Sequence, residues 1–365
     1  MRSFAAARAM AAIMVALGLL VRCHSIAAAS SAPPPSSTRS VVAEAANPLL
    51  NPPVSDGYRL PVAIAMRVIN ISDIDEVTQR FKMVGYLIAH WKDPRLAFTP
   101  QASWEKFRTY SPNQIWYPRF DFVNGVVPHS AFDVTIRVFP DGTVRYSERS
   151  SAELSNTFRL RTFPFDRQTL EILIHPTVAE DALVELTPEH GAAAMSAEPR
   201  VYESLAQWAI TGTSAAVEQV PGLSGESISE IRFTIKIARH FNFYIWKVFL
   251  PLLLMVVLSW TVFWIDPREL SSQVQISVTT ILTVIAFAFA IQANLPKVPY
   301  LTFIDVFFLV CYLFVFATAI ELTAVHLAGR SGHAEHVRRL SNAFRIVLPA
   351  AFVIVNLIMV LIYFG

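Results

Sequence analysis

The sequence predicts an N-terminal antiparallel β-sandwich followed by a four-helix transmembrane bundle, a mixed β and α membrane protein. Three observations carry that fold class. Hydrophobic residues make up 53% of the 365 and charged residues only 16%, too apolar a balance for an ordinary soluble chain. The first two thirds alternate apolar and polar residues with period two. The last third holds a succession of uncharged apolar runs, each near the ~20 residues that a helix needs to cross hydrocarbon.

The elements follow in order. Arg2 and Arg8, an apolar run from Ala9 to Val21 and the small residues Ala27, Ala28 and Ala29 predict a cleavable secretory signal over residues 1–29. Residues 30–46, with "SSAPPPSSTRS", are too polar and Pro-rich to form a core and read as a flexible leader. Residues 47–240 form the outer domain. In "FDVTIRVF" Val134, Ile136 and Val138 alternate with Asp133, Thr135 and Arg137, and "EIRFTIKIA" repeats the pattern through Ile231, Phe233, Ile235 and Ile237. Pro140-Asp141-Gly142 between two such runs is a hairpin turn. Residues 241–365 form the membrane domain, with spans at about 244–265, 271–293, 301–327 and 343–364.

Charge and cysteine usage narrow the function. Loss of the signal removes Cys23 and leaves Cys311 alone, so the exported domain holds together by packing and not by a disulfide. A net charge of +2 with scattered arginines excludes a nucleic-acid role. His326, His333 and His336 near the join of the last two spans lack a cysteine partner, so no metal site and no cofactor is expected. Neither a nucleophile elbow nor a paired-carboxylate motif supports an enzyme. Arg330, Arg338 and Arg339 lie between the third and fourth spans, against Lys297 alone between the second and third, which places the outer domain and the C-terminus on the extracytoplasmic side.

The second span raises the functional question. On a helical wheel Ser271, Gln275, Thr279, Leu282, Ala286, Phe289 and Ala293 share a sector of roughly 80°. Ser and Thr are tolerated in membranes through bonds to their own helix. Gln275 has more donors and acceptors than one helix satisfies, so it belongs against water or protein. Several copies around an axis turn this stripe into rings, polar at the inner end and apolar farther out, where a ring of Leu or Phe stops ions by dewetting. The stripe predicts a pore.

Short motifs then identify a family. "WKDPRL" (Trp91 to Leu96), "IWYPRF" (Ile115 to Phe120), "FPFDRQTL" (Phe163 to Leu170), Arg239, Pro251, "NLPKVPY" (Asn294 to Tyr300) and "FRIVLPAAFVIVN" occur in an order that resembles the pentameric ligand-gated ion channels, the Cys-loop receptor superfamily, and its bacterial members in particular. The resemblance implies a homopentamer in a lipid bilayer, a bacterial inner membrane, that passes monovalent ions. It assigns Leu282 and Phe289 to a hydrophobic gate and Gln275 and Thr279 to the narrow hydrated part. It also implies a coupling cluster of Glu76, Asp166 and Arg239 that acts on Pro299 and Tyr300. Where animal receptors close the "FPFD" turn with a disulfide, this chain has Asn156 and Leu170.

The agonist is less defined, a small molecule or the proton. Tyr86 occupies one position of the family's aromatic amine cage, or is a strand core residue, while Val123 and Thr177 stand where further aromatics are expected. The loop Ala215 to Ser229 has none. Asp121 and Arg149 are candidates for a polar ligand, or surface ion pairs. Glu269 and Asp266 beside the inner end of the stripe favour cations. A non-conducting, membrane-anchored solute sensor is the alternative from another class.

Overall fold

The computed structural model describes residues 47–53, 59–177, 183–189, 194–197, 201, 205–222, 225, 227–265, 270–292, 297–330 and 334–365. The signal at 1–29 and the leader at 30–46 lie outside the described residues. Two sheets make the outer domain. One runs β3 (Arg108–Tyr110), β5 (Ser130–Val138), β6 (Thr143–Ser155), β2 (Arg80–Lys92), β1 (Leu60–Asp75) and β8 (Val184–Pro188), with β9 (Met195–Ala197) also on β1. The other runs β10 (Trp208–Pro221), β11 (Ser227–Arg239), β7 (Arg167–Pro176) and β4 (Phe120–Phe122).

Alternation makes these strands two-faced. On β2 the side chains of Phe81, Met83, Leu87, Ala89 and Trp91 are buried, and on β11 Ile231, Phe233, Ile235 and Ile237 are fully so. Both rows feed one core between the sheets. The Pro140–Gly142 turn joins β5 to β6. Gly142 has φ of 81°, and a Cβ there would lie 2.7 Å from the Asp93 carbonyl oxygen, so only glycine fits.

Two features differ from the sequence reading. The sandwich is not wholly antiparallel, because β8 and β9 pair parallel to β1. β8 follows β7 of the other sheet, so no hairpin fixes its direction against β1. Ala215 to Ser229 is not one long loop, because β10 and β11 stay paired from Trp208↔Arg239 to Pro221↔Ser227.

Four apolar helices follow β11. The first, α1, covers Asn242–Trp264. It opens with a wide π turn at Ile245–Phe249 just before Pro251, where the proline ring and its missing N–H disrupt the regular ladder. The others are α2 (Leu270–Gln292), α3 (Phe303–Arg330) and α4 (Ala334–Phe364). Helix α3 begins two residues later than the apolar run because Thr302 and Asp305 cap it reciprocally: the Thr302 amide donates to Asp305 Oδ2 at 3.0 Å, and the Asp305 amide to Thr302 Oγ1 at 3.4 Å. Helices α3 and α4 also run on into what the sequence suggested was a loop, reaching Arg330 and starting at Ala334.

Candidate functional site

Two places in the fold gather the candidate residues: one face of α2 and the junction between the sandwich and the bundle. On α2 the helix period separates one packed face from a broad exposed one, which also includes Ser272, Val274, Val278, Thr283 and Ile285. Gln273, Ser277, Thr280, Val284 and Ala288 are buried against the other helices. Ser271, Gln275, Thr279, Leu282, Ala286 and Phe289 are exposed on the protomer, Leu282 at 62% and Phe289 at 70%. The buried polar groups largely satisfy themselves, as when the Thr280 hydroxyl donates to the Ile276 carbonyl at 2.8 Å and Gln273 Nε2 to the Ile265 carbonyl at 3.1 Å. The exposed stripe turns away from its own bundle. Ala293, at its outer end, and Glu269 and Asp266, at its inner end, lie outside the described residues.

At the junction, Arg239 at the end of β11 meets two carboxylates from separate loops. Its Nε donates to Asp166 Oδ1 at 2.8 Å, and its Nη2 to Glu76 Oε1 at 2.6 Å and to Asp166 Oδ2 at 3.3 Å. The Arg239 and Asp166 side chains are only 2% and 0% exposed, that of Glu76 15%. The guanidinium also lies 4.1 Å from the Trp208 ring centroid and 4.8 Å from that of Phe163, a geometry that suits a cation on aromatic faces. Burial works against its charge, but its bonds and attraction to Asp166, then Glu76, outweigh that and raise its pKa. Gln168 Nε2 holds Asp166 from the other side at 2.6 Å.

The same loop grips the membrane domain. The Leu160 amide donates to the Tyr300 hydroxyl at 3.0 Å, and the Phe303 amide, at the start of α3, donates to the Arg161 carbonyl at 2.9 Å. Pro299, beside Tyr300, is exposed. Phe165, between Phe163 and Asp166, inserts among Phe241, Phe249, Phe303 and Phe364, with ring centroids 5.3 to 6.0 Å away. The sequence reading quoted "FPFD" for its acid and missed Phe165, although an apolar side chain in an outer loop facing a bilayer was the available signal. In place of a disulfide, Asn156 Oδ1 accepts from the Glu171 amide at 3.1 Å, next to Leu170, and pins the loop's two ends.

The three ligand candidates do not converge. Tyr86 is half-buried on the outward face of β2, not in the core, and stands opposite Arg149 on β6. Asp121 lies on β4 in the other sheet, paired with His175. Tyr86 leaves the core because Leu87 takes the inward position next to it. Val123 is exposed, and the Thr177 hydroxyl is buried with no hydrogen-bond partner among the described residues.

A two-sheet outer domain whose loop at Leu160, Arg161 and Phe165 holds a bundle of four spans, one of them with a polar-to-apolar exposed face, is the architecture of a receptor domain joined to a membrane channel domain. The chain belongs to the neurotransmitter-gated ion channels, the Cys-loop superfamily: the ligand-binding domain of that family matches residues 42–241 and its transmembrane region residues 248–350. It is 32% identical over 315 residues, 86% of each chain, to the proton-gated ion channel of Gloeobacter violaceus. It is 31% identical over 283 residues to the gamma-aminobutyric acid receptor subunit rho-2 of Bos taurus and 31% over 277 to subunit rho-3 of Homo sapiens. Those two alignments take in 75% and 74% of this chain but only 60% and 58% of the receptor subunits. The protein is therefore a multi-pass membrane protein of a pentameric, agonist-gated channel family and not an enzyme.

Proposed function

We propose that the chain assembles as a homopentamer in a bacterial inner membrane, the sandwich and C-terminus outside, and conducts ions along an axis lined by α2. The observation that carries this is the sorting of that helix, polar and exposed at Ser271, Gln275 and Thr279, apolar and exposed at Leu282, Ala286 and Phe289, and packed on its opposite side. Copies of this face around an axis form hydrated inner rings and a dewetting outer gate. Arg239, Asp166 and Glu76 pass movement of the sandwich to Tyr300 and α3. The agonist must bind one arrangement better than the other to shift the pore.

The proton is the agonist favoured here. The aromatic cage is absent at Val123 and Thr177, and a proton-gated channel is among the relatives. Cation selectivity is the reading drawn from Glu269 and Asp266, which precede α2 in the sequence. Purified protein in a planar bilayer tests all three points. Acid steps on the outer side should evoke current, amines and carboxylates at neutral pH should not, and asymmetric salt should move the reversal potential toward that of the cation. Silence under every condition refutes conduction, current evoked by a small molecule alone refutes proton gating, and a reversal potential that follows the anion refutes the selectivity.

A further inference from the structure

Within the sandwich, a buried titratable cluster lies apart from both the α2 stripe and the Arg239 junction. Glu148 on β6 is only 5% exposed, and three side chains converge on its carboxylate. The Tyr146 hydroxyl donates to Oε2 at 2.6 Å and the Ser150 hydroxyl to Oε1 at 2.8 Å. The third is His129, whose Nε2 lies 3.6 Å from Oε1 and whose side chain is 16% exposed. The His129 ring rests against Phe122 of β4 at 4.8 Å, and Tyr146 stacks on Tyr117 at 5.3 Å.

The surrounding strands leave this pair electrostatically simple. Leu87 stands opposite Glu148 on β2, and the titratable or charged groups of that strand, Arg80, Lys82, Tyr86, His90 and Lys92, alternate onto its other face. Asp121 on β4, Asp133 on β5, Arg149 on β6 and Arg119 ahead of β4 are exposed. Burial pushes the Glu148 carboxyl toward neutrality, but the nearby His129 ring and the hydrogen bonds from Tyr146 and Ser150 outweigh it and hold its pKa below the usual carboxylate range. An anion thus persists in mild acid. Imidazole is the side chain that gains charge as pH falls from about 8 to 5, and an imidazolium beside a buried carboxylate forms a charge-assisted bond that a neutral ring cannot match.

We propose that His129 and Glu148 form the proton-binding site through which external acid opens this channel, the charged imidazole clamping the segment ahead of β5 onto β6. The inference rests on the proton-gated reading above and names its sensor. The clamp has a route to the junction. The Val126 amide donates to the Glu153 carbonyl at 2.8 Å, and Asn124 Nδ2 donates to the carbonyls of Ser155 at 2.9 Å and Glu171 at 2.8 Å, so the segment is laced along β6 to its end. Five residues beyond Ser155, Leu160 holds Tyr300. The route runs along paired β6 as far as Ser155 and then through the irregular residues 156–160, which Leu160 ties to Tyr300.

Bilayer currents of the full-length channel against external pH test the site in wild type, His129→Gln and His129→Arg. His129→Gln cannot gain charge and should require about tenfold more protons, one pH unit, for half-activation. His129→Arg is always charged and should move half-activation toward neutral pH. A folding defect lowers amplitude in both variants without moving their midpoints apart. An acid-activated wild type whose midpoint is unchanged in both variants overturns the sensor and leaves proton gating standing. A wild type that acid does not activate overturns both readings, and that result is seen before either variant is examined.

Discussion

Replacing Arg239 by alanine removes the one cation that Asp166 and Glu76 share, at bond lengths of 2.8 and 2.6 Å. With Asp166 fully buried and Glu76 largely so, two carboxylates are left facing each other without compensation. Removing one partner of a buried pair costs about 3–5 kcal/mol, and the cation's contacts with Trp208 and Phe163 are lost as well. If about 3 kcal/mol of this is specific to the open arrangement, the opening equilibrium falls roughly 150-fold at ~1.4 kcal/mol per tenfold. An open probability of ~0.9 at saturating agonist then drops to roughly 0.06. The assay is maximal current normalised to surface protein, measured by surface labelling. Arg239→Lys keeps the charge but loses the two-pronged geometry, and should fall between wild type and alanine. Normal surface amounts with an unchanged maximum and midpoint in Arg239→Ala would refute the reasoning.

Three further outcomes are expected. Leu282→Ser places a hydroxyl in the apolar ring and should raise spontaneous current in the absence of agonist; an unchanged baseline and activation curve counts against the gate. Phe165→Ala removes four ring contacts and should lower stability by about 2 kcal/mol while weakening agonist-evoked current more than spontaneous current, read by thermal unfolding and recording. Because the Glu148 carboxyl is held below its ordinary pKa, its stabilising contribution is complete above the unfolded carboxylate range and is lost as pH falls through the lower folded value. Thermal unfolding should therefore show a steeper loss of stability below about pH 4 in wild type than in Glu148→Gln.

Legibility in the sequence followed the range of the interaction. Period-two alternation on β5 and β11 and the four long apolar runs are local patterns, and each translated directly into an element. Helical spacing likewise separates Gln275 and Leu282, which are exposed, from Ser277 and Val284, which are packed, although the exposed face is wider than the predicted stripe and includes Val274, Val278 and Ile285. Long-range pairing was not. Asp166 and Glu76 are 73 and 163 positions from Arg239, and composition says nothing of their meeting; the motif resemblance supplied it. The parallel pairing of β8 and β9 and the length of the β10–β11 hairpin depend on which edge each strand finds. His129 and Glu148 passed unnoticed because an isolated histidine and a glutamate on an alternating strand look like ordinary surface residues until folding buries them together.

The central claim is that water, and not lipid or neighbouring protein, wets the outward face of α2. Cysteine substitution with a charged, membrane-impermeant thiol reagent measures this directly, against the low background of a buried Cys311. During activation, cysteines at Gln275, Thr279 and Leu282 should be modified and should block current, while cysteines at Ser277 and Val284, on the packed side, should not react. Protection of the first three under every activating condition would contradict the account.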